Sequence, residues 1–193
     1  ESSLPEEVRA EKRRHLVYQY LFFNQWMSLR EYARRRGIEI IGDVPIFVAH
    51  DSADVWSSSR VFQIRESGEL KVSAGVPPDY FSELGQHWGN PLYDWDHLKE
   101  TGYRWWIDRL RGAFSLYDVI RLDHFRAFSS YWEIPGGAPD ARHGSWVKGP
   151  GYDFFDRVFE SFPDCKIIAE DLGYIDRKVF ALREAYGLPG MKV

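Results

Sequence analysis

Three short apolar segments alternate with helix-like segments along this chain, and the alternation limits which folds it can adopt. The apolar segments are rich in β-branched residues, as is typical of strands, and cover residues 38–48, 117–125 and 166–172. Helical patterns cover residues 1–37, 96–115, 153–161 and 176–186. Residues 190–193 are predicted to open a fourth strand. Strands that alternate with helices form parallel sheets, and helices then cover both faces, which explains strands that are apolar almost throughout. The sequence therefore predicts an α/β fold.

The first 37 residues predict one long helix with recognisable ends. Ser3 and Glu6 have the spacing of a capping box, and Pro5 suits the first turn. Gly37 follows three arginines and can adopt the left-handed conformation that ends many helices. One apolar face is predicted from residues that recur at helical spacing, namely Leu16, Tyr20, Phe23 and Met27.

Length, charge and cysteine content exclude several classes of protein. The chain has 193 residues, fewer than the roughly 250 of a complete (β/α)₈ barrel. A net charge of −4 argues against a general nucleic-acid-binding protein. Cys165 is the only cysteine, which excludes an internal disulfide and fits a reducing compartment such as the cytoplasm. No segment has the ~18 apolar residues that span a membrane, and residues 1–19 are too charged for a secretory signal.

Residues 49–96 form a long segment of turn-forming and aromatic residues. A hairpin is predicted between residues 60–64 and 70–72, turning at Ser67 and Gly68. Long loops are uncommon in compact domains and are usually functional. Aromatic residues make up 17% of the chain, which fits either a well-packed aromatic core or a ligand with flat apolar faces, such as a sugar.

Each predicted strand carries an acidic residue that a shared site could use. Asp43 lies within the first strand, and Asp123 and Glu170 lie near the carboxyl ends of the next two. Parallel α/β folds place their active sites at that end, and a carboxylate in an apolar strand is costly unless it is paired or used. Arg121 precedes Asp123 by two residues, so both side chains project to one face. The guanidinium favours the ionised form of that carboxylate.

Glu170 is expected to have different surroundings from Asp123. It follows an apolar run and has no arginine next to it, so burial would favour its protonated form. Its neighbour Asp171 is predicted to point to the other face of the strand. One ionised and one protonated carboxylate are the pair that cleaves glycosidic bonds.

Other chemistries find weaker support in the residues. His50 and His124, with Asp43 and Glu170, could be imagined as metal ligands, but the usual metal-binding spacings are missing. Glycine-rich nucleotide motifs are missing as well. Cys165 could act as a nucleophile, although nothing beside it in sequence would favour the thiolate.

At these residues the sequence closely resembles the amylomaltases, also called 4-α-glucanotransferases, of the α-amylase superfamily. The matching stretches cover the chain from Gly37 nearly to its end. They are GDVPIFVAHDSADVW, AGVPPDYFSELGQHWGNPLYDW, TGYRWWIDRLR, VIRLDHFRAF, WVKGPG and IIAEDLG. The second of these is the most specific, because ordinary α-amylases lack it.

The resemblance implies a catalytic (β/α)₈ barrel that transfers α-1,4-glucan segments between maltooligosaccharides with retention of configuration and without a cofactor or metal. Asp123 corresponds to the family's nucleophile, and Glu170 corresponds to its general acid/base. Arg121 corresponds to the arginine that is paired with the nucleophile.

The resemblance also implies residues that bind the sugar. Asp43 would lie beside the cleavage subsite, and His124 would contact the sugar near the nucleophile. Residues 79–90 correspond to an active-site lid, within the longer loop of residues 49–96. Lid residues expected to stack on glucose rings or reach hydroxyl groups are Asp79, Tyr80, Phe81, Gln86, Trp88 and Asn90. Trp105 and Trp106 are expected to pack in the core, and Trp132 and Trp146 are unassigned.

The chain departs from the family pattern in three ways. It lacks the third catalytic aspartate and the first two barrel strands, so residues 1–193 are expected to form a central part of the barrel, approximately strands three to six. Ala127 stands where the family usually has glycine and could crowd the site. The chain alone is therefore predicted to lack transferase activity. Alternatives are a catalytically silent glucan-binding piece and a related retaining α-glucan hydrolase.

Overall fold

A computed structural model describes residues 4–192, and in it the three strands predicted for the parallel sheet are separated by helices, as expected. Ser3, and with it the predicted capping box, lies outside the described residues. In chain order the elements are α1 (Glu6–Arg34), β1 (Ile41–Pro45), α2 (Ala53–Ser57), β2 (Val72–Val76), β3 (Gln86–Pro91), α3 (Trp95–Glu100), α4 (Arg104–Leu116), β4 (Val119–Asp123), β5 (Ser130–Pro135), β6 (Ser145–Lys148), α5 (Tyr152–Ser161), β7 (Ile167–Ala169) and α6 (Arg177–Ala185).

A three-stranded parallel sheet, in the order β1-β4-β7, confirms the predicted sheet. β4 is central and is mostly buried, as expected for a strand covered on both faces. β1 lies at the edge within the described residues, and its side chains alternate between exposed and buried. The expectation that the first strand is buried throughout was therefore wrong, because one of its faces has no covering element here.

A second, antiparallel sheet in the order β3-β2-β5-β6 was not predicted. β2 and β3 contain glycine and polar residues, as in the Gln-His-Trp-Gly-Asn-Pro of β3, and therefore give a weak strand signal. β5 and β6 do contain tryptophan and β-branched residues, but both strands are short and are flanked by glycine and proline. Two of its strands lie within the 49–96 segment, so that segment is only partly loop. The predicted hairpin is reduced to one antiparallel bridge between Ile64 and Leu70.

The long first helix forms as predicted, with Arg34 as its last helical residue, and Gly37 lies in the turn that follows, with a φ of +69°. Its predicted apolar face is not buried, since Leu16, Tyr20 and Phe23 are exposed and Ala33 is the buried residue of the described helix. Near its C-terminal end, the Arg30 guanidinium donates to Asp118 Oδ1 at 2.8 Å. Partial burial works to raise the pKa of Asp118, but the bonds from Arg30, Ile40 N and Arg34 lower that pKa to about 2.

The helix predicted over residues 96–115 is broken into α3 and α4. Gly102 and Tyr103 have φ values of +62° and +55°, which helical residues do not adopt. Tyr103 is held there by its hydroxyl, which donates to Asp153 Oδ2 at 2.6 Å. A hydrogen bond to a carboxylate of α5 is therefore present at the break between α3 and α4. Helical periodicity in the sequence does not reveal this break.

The core contains a cluster of aromatic side chains and includes buried residues of the parallel sheet, α4 and α5. Trp106 is fully buried, with ring centroids 5.4 Å from Tyr93 and 5.5 Å from Phe154, which confirms its packing role. Trp105 packs against the same cluster from a partly buried position. Ala127 is fully buried in this core as well. Much of the aromatic excess therefore has a structural explanation.

Residues 190–192 are not in a strand, so the predicted fourth strand is absent from the described residues, and Val193 lies outside them. The segment instead runs beside β7, where Ala169 N donates to Pro189 O at 2.9 Å. None of the described helices is long and apolar enough to cross a membrane.

Candidate active site

Arg121 joins two of the predicted site acids at one end of the parallel sheet. The register of β1 against β4 places Asp43 directly opposite Arg121. Arg121 Nη1 donates to Asp43 Oδ1 and Nη2 donates to Asp123 Oδ1, both at 2.6 Å. Partial burial works to lower the pKa of Arg121, but its two carboxylate partners outweigh burial and raise that pKa. The arginine is therefore a fixed cation that orients both carboxylates.

Glu170 directly follows β7, and the backbone holds both of its carboxylate oxygens. Oε2 accepts from His124 N at 2.8 Å, and Oε1 accepts from Leu172 N at 2.9 Å. The main chain of Glu170 also pairs with Leu122 O and Phe125 N at 3.0 Å each. Glu170 is partly exposed, so the burial expected for it is only partial. Its position is set instead by backbone contacts to the end of β4.

Asp171 points away from Glu170, as the strand periodicity predicted. It accepts from the Arg183 guanidinium of α6, and its Oδ1 accepts from Met191 N at 2.8 Å. This adjacent acid therefore has a structural partner of its own. The four residues Asp43, Arg121, Asp123 and Glu170 are called the acid edge below.

His124 connects the acid edge to the 79–90 segment. Its backbone is left-handed, with φ of +54°, which turns the chain sharply after Asp123. Its ring lies edge-on to Trp88, with centroids 4.9 Å apart, and 6.3 Å from Phe47. Burial, together with the nearby Arg126 charge, lowers the pKa of His124 to about 4. The imidazole is therefore neutral at pH 7 and can accept as well as donate a hydrogen bond.

Four of the residues expected to bind sugar form two groups that differ in exposure. Trp88 packs over Phe47 and His124, and its indole Nε1 donates to Gln86 Oε1 at 3.0 Å. Tyr80 and Phe81 are 96% and 93% exposed and pack edge-on against each other. Only Trp88 and Gln86 of this set are thus linked to His124, and the exposed pair projects into solvent.

Two predicted binding residues have structural partners in this structure. Asp79 Oδ1 accepts from Phe81 N and Ser82 N, at 2.9 and 2.8 Å, and so caps its own turn. Asn90 Nδ2 donates to Val48 O at 2.9 Å, which ties β3 to the segment after β1. Asp79 Oδ2 and the Asn90 carbonyl oxygen are the side-chain atoms that these bonds do not use.

The sequence prediction missed Phe47 and Met191. Phe47 is buried and contacts both Trp88 and His124. Met191 Sδ lies 3.2 Å from Arg121 Nε. Phe47 lies in the first apolar segment, shortly after Asp43, so its position in the sequence could have indicated a place near the site. The sequence around Met191 gives no such indication. Within residues 4–192, no three His, Cys, Asp or Glu side chains are grouped to hold a metal ion.

Carboxylates fixed at the carboxyl end of a parallel sheet, beside an aromatic wall, form an arrangement suited to a carbohydrate-active enzyme. A family model described as 4-alpha-glucanotransferase matches residues 2–193. The chain therefore belongs to the 4-alpha-glucanotransferase family.

Similar proteins carry the same description. The chain is 52% identical over 179 residues to the 4-alpha-glucanotransferase of Streptococcus pneumoniae, covering 93% of this chain and 35% of that protein. It is 53% identical over 192 residues to the Thermus thermophilus protein of that name, covering 100% and 38%. The structure of Streptococcus agalactiae amylomaltase in complex with acarbose matches with a TM-score of 0.89 and 45% identity, covering 98% of this chain and 40% of that one. The chain thus spans little more than a third of these relatives.

Proposed function

We propose that the protein containing this chain transfers α-1,4-glucan segments between maltooligosaccharides by a retaining double displacement. The observation that carries the proposal is the Arg121 bridge, which orients Asp123 and Asp43 beside Glu170 in a member of this family. The bound acarbose named for the Streptococcus agalactiae relative supports a sugar ligand. No cofactor is required for this chemistry.

Asp123 is proposed as the nucleophile and Glu170 as the general acid/base. In the first step an oxygen of Asp123 attacks C1 of the donor glucose, while Glu170 gives its proton to the departing 4-oxygen. A covalent glucosyl-enzyme results. In the second step Glu170 takes the proton of an acceptor 4-hydroxyl, whose oxygen attacks C1 and releases Asp123. Over the cycle Glu170 regains the proton that it gave up, and one glycosidic bond is formed for the one that is broken.

The surrounding residues are proposed to bind and orient the glucan. Arg121 keeps Asp123 aligned, and Asp43 accepts hydrogen bonds from hydroxyl groups of the donor sugar. Neutral His124 and Trp88 form one wall against the sugar. Tyr80, Phe81, Asp79, Gln86 and Asn90 belong to a lid that covers the acceptor. Apolar cover excludes water, which favours transfer over hydrolysis.

The parallel sheet is proposed to be part of a (β/α)₈ barrel. β1, β4 and β7 would be its third, fourth and fifth strands, and the chain would form one central portion of the barrel rather than a separate domain. Since the chain spans about a third of its relatives, further catalytic residues would come from elsewhere in the protein. A cytoplasmic location remains an expectation from composition.

Incubation of the full-length protein with maltotriose tests the proposal. We expect glucose together with maltopentaose and longer products. NMR of these products should show that the new linkages have the α configuration. Release of glucose and maltose without longer products would favour the hydrolase instead.

The isolated 193-residue chain is expected to be inactive in the same assay. It has an exposed edge strand and only part of the predicted carboxylate set. Rapid disproportionation by the isolated chain would contradict the partial-barrel proposal.

A further inference from the structure

A groove with a volume of about 1040 Å³ opens beside β6, between the N-terminal ends of α5 and α6. Among the described residues that line it, none belongs to the acid edge. Two wall residues nevertheless follow the site strands closely, since Arg126 lies three residues after Asp123 and Tyr174 lies four after Glu170. The groove is therefore formed partly by the loops that follow the site strands, but none of the carboxylates of the acid edge lines it.

Arg126 is a buried cation in the wall of this groove. It is 6% exposed and lies between two rings, with its Cζ 4.0 Å from the Trp146 ring centroid and 5.6 Å from that of Tyr174. Nη2 donates to Ser130 Oγ at 3.2 Å, and the Asp176 carboxylate lies 3.7 Å away. Arg126 Nε is buried without a hydrogen-bond partner among residues 4–192. A guanidinium has five donors, and unpaired buried donors are costly, so this residue is suited to an additional acceptor-rich partner.

Exposed aromatic rings line the mouth of the groove. Tyr174 is 75% exposed, Tyr152 52% and Trp146 43%. Large rings held open to solvent along one groove provide flat apolar faces beside polar groups. The flat face of a pyranose ring stacks on such a surface, while its hydroxyl groups face the polar residues.

The charges in the wall favour a neutral ligand. The basic residues are Lys99, Arg126, Lys148 and Lys178, and the acidic residues are Asp96, Asp153 and Asp176. Lys99 already pairs with Asp153 at 3.0 Å. Carboxylates repel a phosphate or sulfate group but accept hydrogen bonds from hydroxyl groups, and the basic residues donate to hydroxyl oxygens. Mixed donors and acceptors with nearly balanced charge therefore match a neutral polyol better than an anion.

We propose that this groove is a second glucan-binding site, which holds a segment of a long α-glucan away from the reacting bond. The inference rests on the proposed function, because that function identifies the polyol as an α-glucan. Tyr152 and Tyr174 stack on glucose rings, and Arg126 donates to glucan oxygens. Occupancy of this site increases the affinity for long chains over short ones, since a glucan held at two sites dissociates more slowly.

Affinity electrophoresis of the full-length protein in gels containing glycogen tests the groove directly. A Glu170→Gln background prevents turnover during the run. Y152A/Y174A is the test variant, because both tyrosines are exposed and Arg126 keeps its contacts with Trp146, Ser130 and Asp176. We expect the apparent Kd for glycogen to rise about tenfold, the effect of losing roughly 1.4 kcal/mol of stacking.

Tyr32→Ala is the matched control for this experiment. Tyr32 is also an exposed tyrosine with an arginine over its ring, the Arg36 Cζ lying 3.5 Å from the ring centroid, but it lies on α1 outside the groove. We expect Y32A to keep the parental Kd for glycogen. An unchanged Kd in Y152A/Y174A, or an equal rise in Y32A, would overturn the proposal.

Two further measurements separate the remaining outcomes. In the active background, Y152A/Y174A should lower the ratio of kcat/KM for amylose to kcat/KM for maltotriose by about tenfold; an unchanged ratio counts against the groove. Displacement of glycogen by millimolar inorganic phosphate would identify an anion site and overturn the proposal. If the parent protein binds glycogen through these tyrosines yet forms no longer products from maltotriose, the groove stands and the proposed function fails.

Discussion

The acid edge and the 79–90 segment are both predicted to contact the same sugar, yet they are held very differently. Arg121 fixes Asp43 and Asp123 with two short hydrogen bonds, and two backbone amides hold Glu170. Tyr80 and Phe81, by contrast, are almost fully exposed. Reacting groups must keep one geometry to lower a barrier, whereas rings that cover a substrate must move to admit it. The difference in restraint thus matches the difference in proposed roles.

The largest expected effect is the loss of either proposed catalytic carboxylate. In the full-length protein, Asp123→Asn or Glu170→Gln should lower kcat for maltotriose disproportionation by at least about 10³-fold, because covalent and acid/base catalysis are both removed. Asp171→Asn is the matched control, since Asp171 pairs with Arg183 and points away. It should change stability more than turnover. Near-normal turnover in D123N or E170Q would refute the assigned roles.

Arg121→Lys tests whether catalysis requires the two hydrogen bonds that Arg121 donates as well as its positive charge. A lysine keeps the cation but cannot donate to Asp43 and Asp123 in the same two-branched geometry. We expect kcat to fall by roughly 10²-fold with a small change in KM, the split that separates orientation from binding. Arg30→Lys, which alters a similar arginine pair at Asp118, serves as the control. Equal kinetics in R121K and the parent would show that the bridge does not orient the nucleophile.

His124 lies between the two regions and predicts a dependence of stability on pH. Burial, aided by the Arg126 charge, lowers the pKa of His124 to about 4, below the value near 6.5 of an unfolded histidine. The unfolded state therefore binds the proton more readily, and the stabilisation present above pH 6.5 is lost as the pH falls towards 4. Between pH 7.5 and 5 the loss should be about 2 kcal/mol.

Urea unfolding of the full-length protein at those two pH values, with His124→Gln alongside, measures this contribution. The variant should have lower stability at pH 7.5 and a smaller loss on acidification. A parent and variant with the same pH dependence would show that His124 is not the group responsible.

The smallest effect is expected in the 79–90 segment. Tyr80→Ala and Phe81→Ala should each raise KM for maltotriose by about fivefold, corresponding to roughly 1 kcal/mol of lost stacking. The free energy of unfolding should change by less than about 0.5 kcal/mol, because these side chains are exposed. Trp88→Ala sharpens the contrast, since Trp88 packs on Phe47 and His124 and its loss should affect both quantities. Large destabilisation by Y80A would show that the segment packs more tightly than its exposure indicates.

Much of the parallel sheet and its acids could be predicted from the sequence. β4 and β7 lie within apolar runs, and the carboxyl ends of such strands meet at one edge, so Asp123 and Glu170 were expected to be neighbours. Period-two spacing also placed Arg121 with Asp123 and Asp171 away from Glu170. These inferences depend on local backbone geometry, which residue type and spacing largely determine.

Predictions that depended on distant partners were less successful. The antiparallel sheet includes the glycine-containing strands β2 and β3, which are stabilised by pairing with their neighbours rather than by local preference. α1 has an apolar face that stays exposed among the described residues, because amphipathic spacing indicates a face but not what covers it. The turn that Asp79 Oδ1 caps was likewise not indicated by residue spacing.

The sequence by itself determined the chemical groups, the alternation of strands and helices and the order in which the acids follow one another. The tertiary structure decided their pairing. Asp43 and Arg121 are 78 residues apart and meet only because β1 and β4 are hydrogen-bonded in one register. A one-residue shift of that register would turn Asp43 to the opposite face and break the bridge. Residue spacing along one strand is local information, but the alignment of two strands depends on every contact that packs them together.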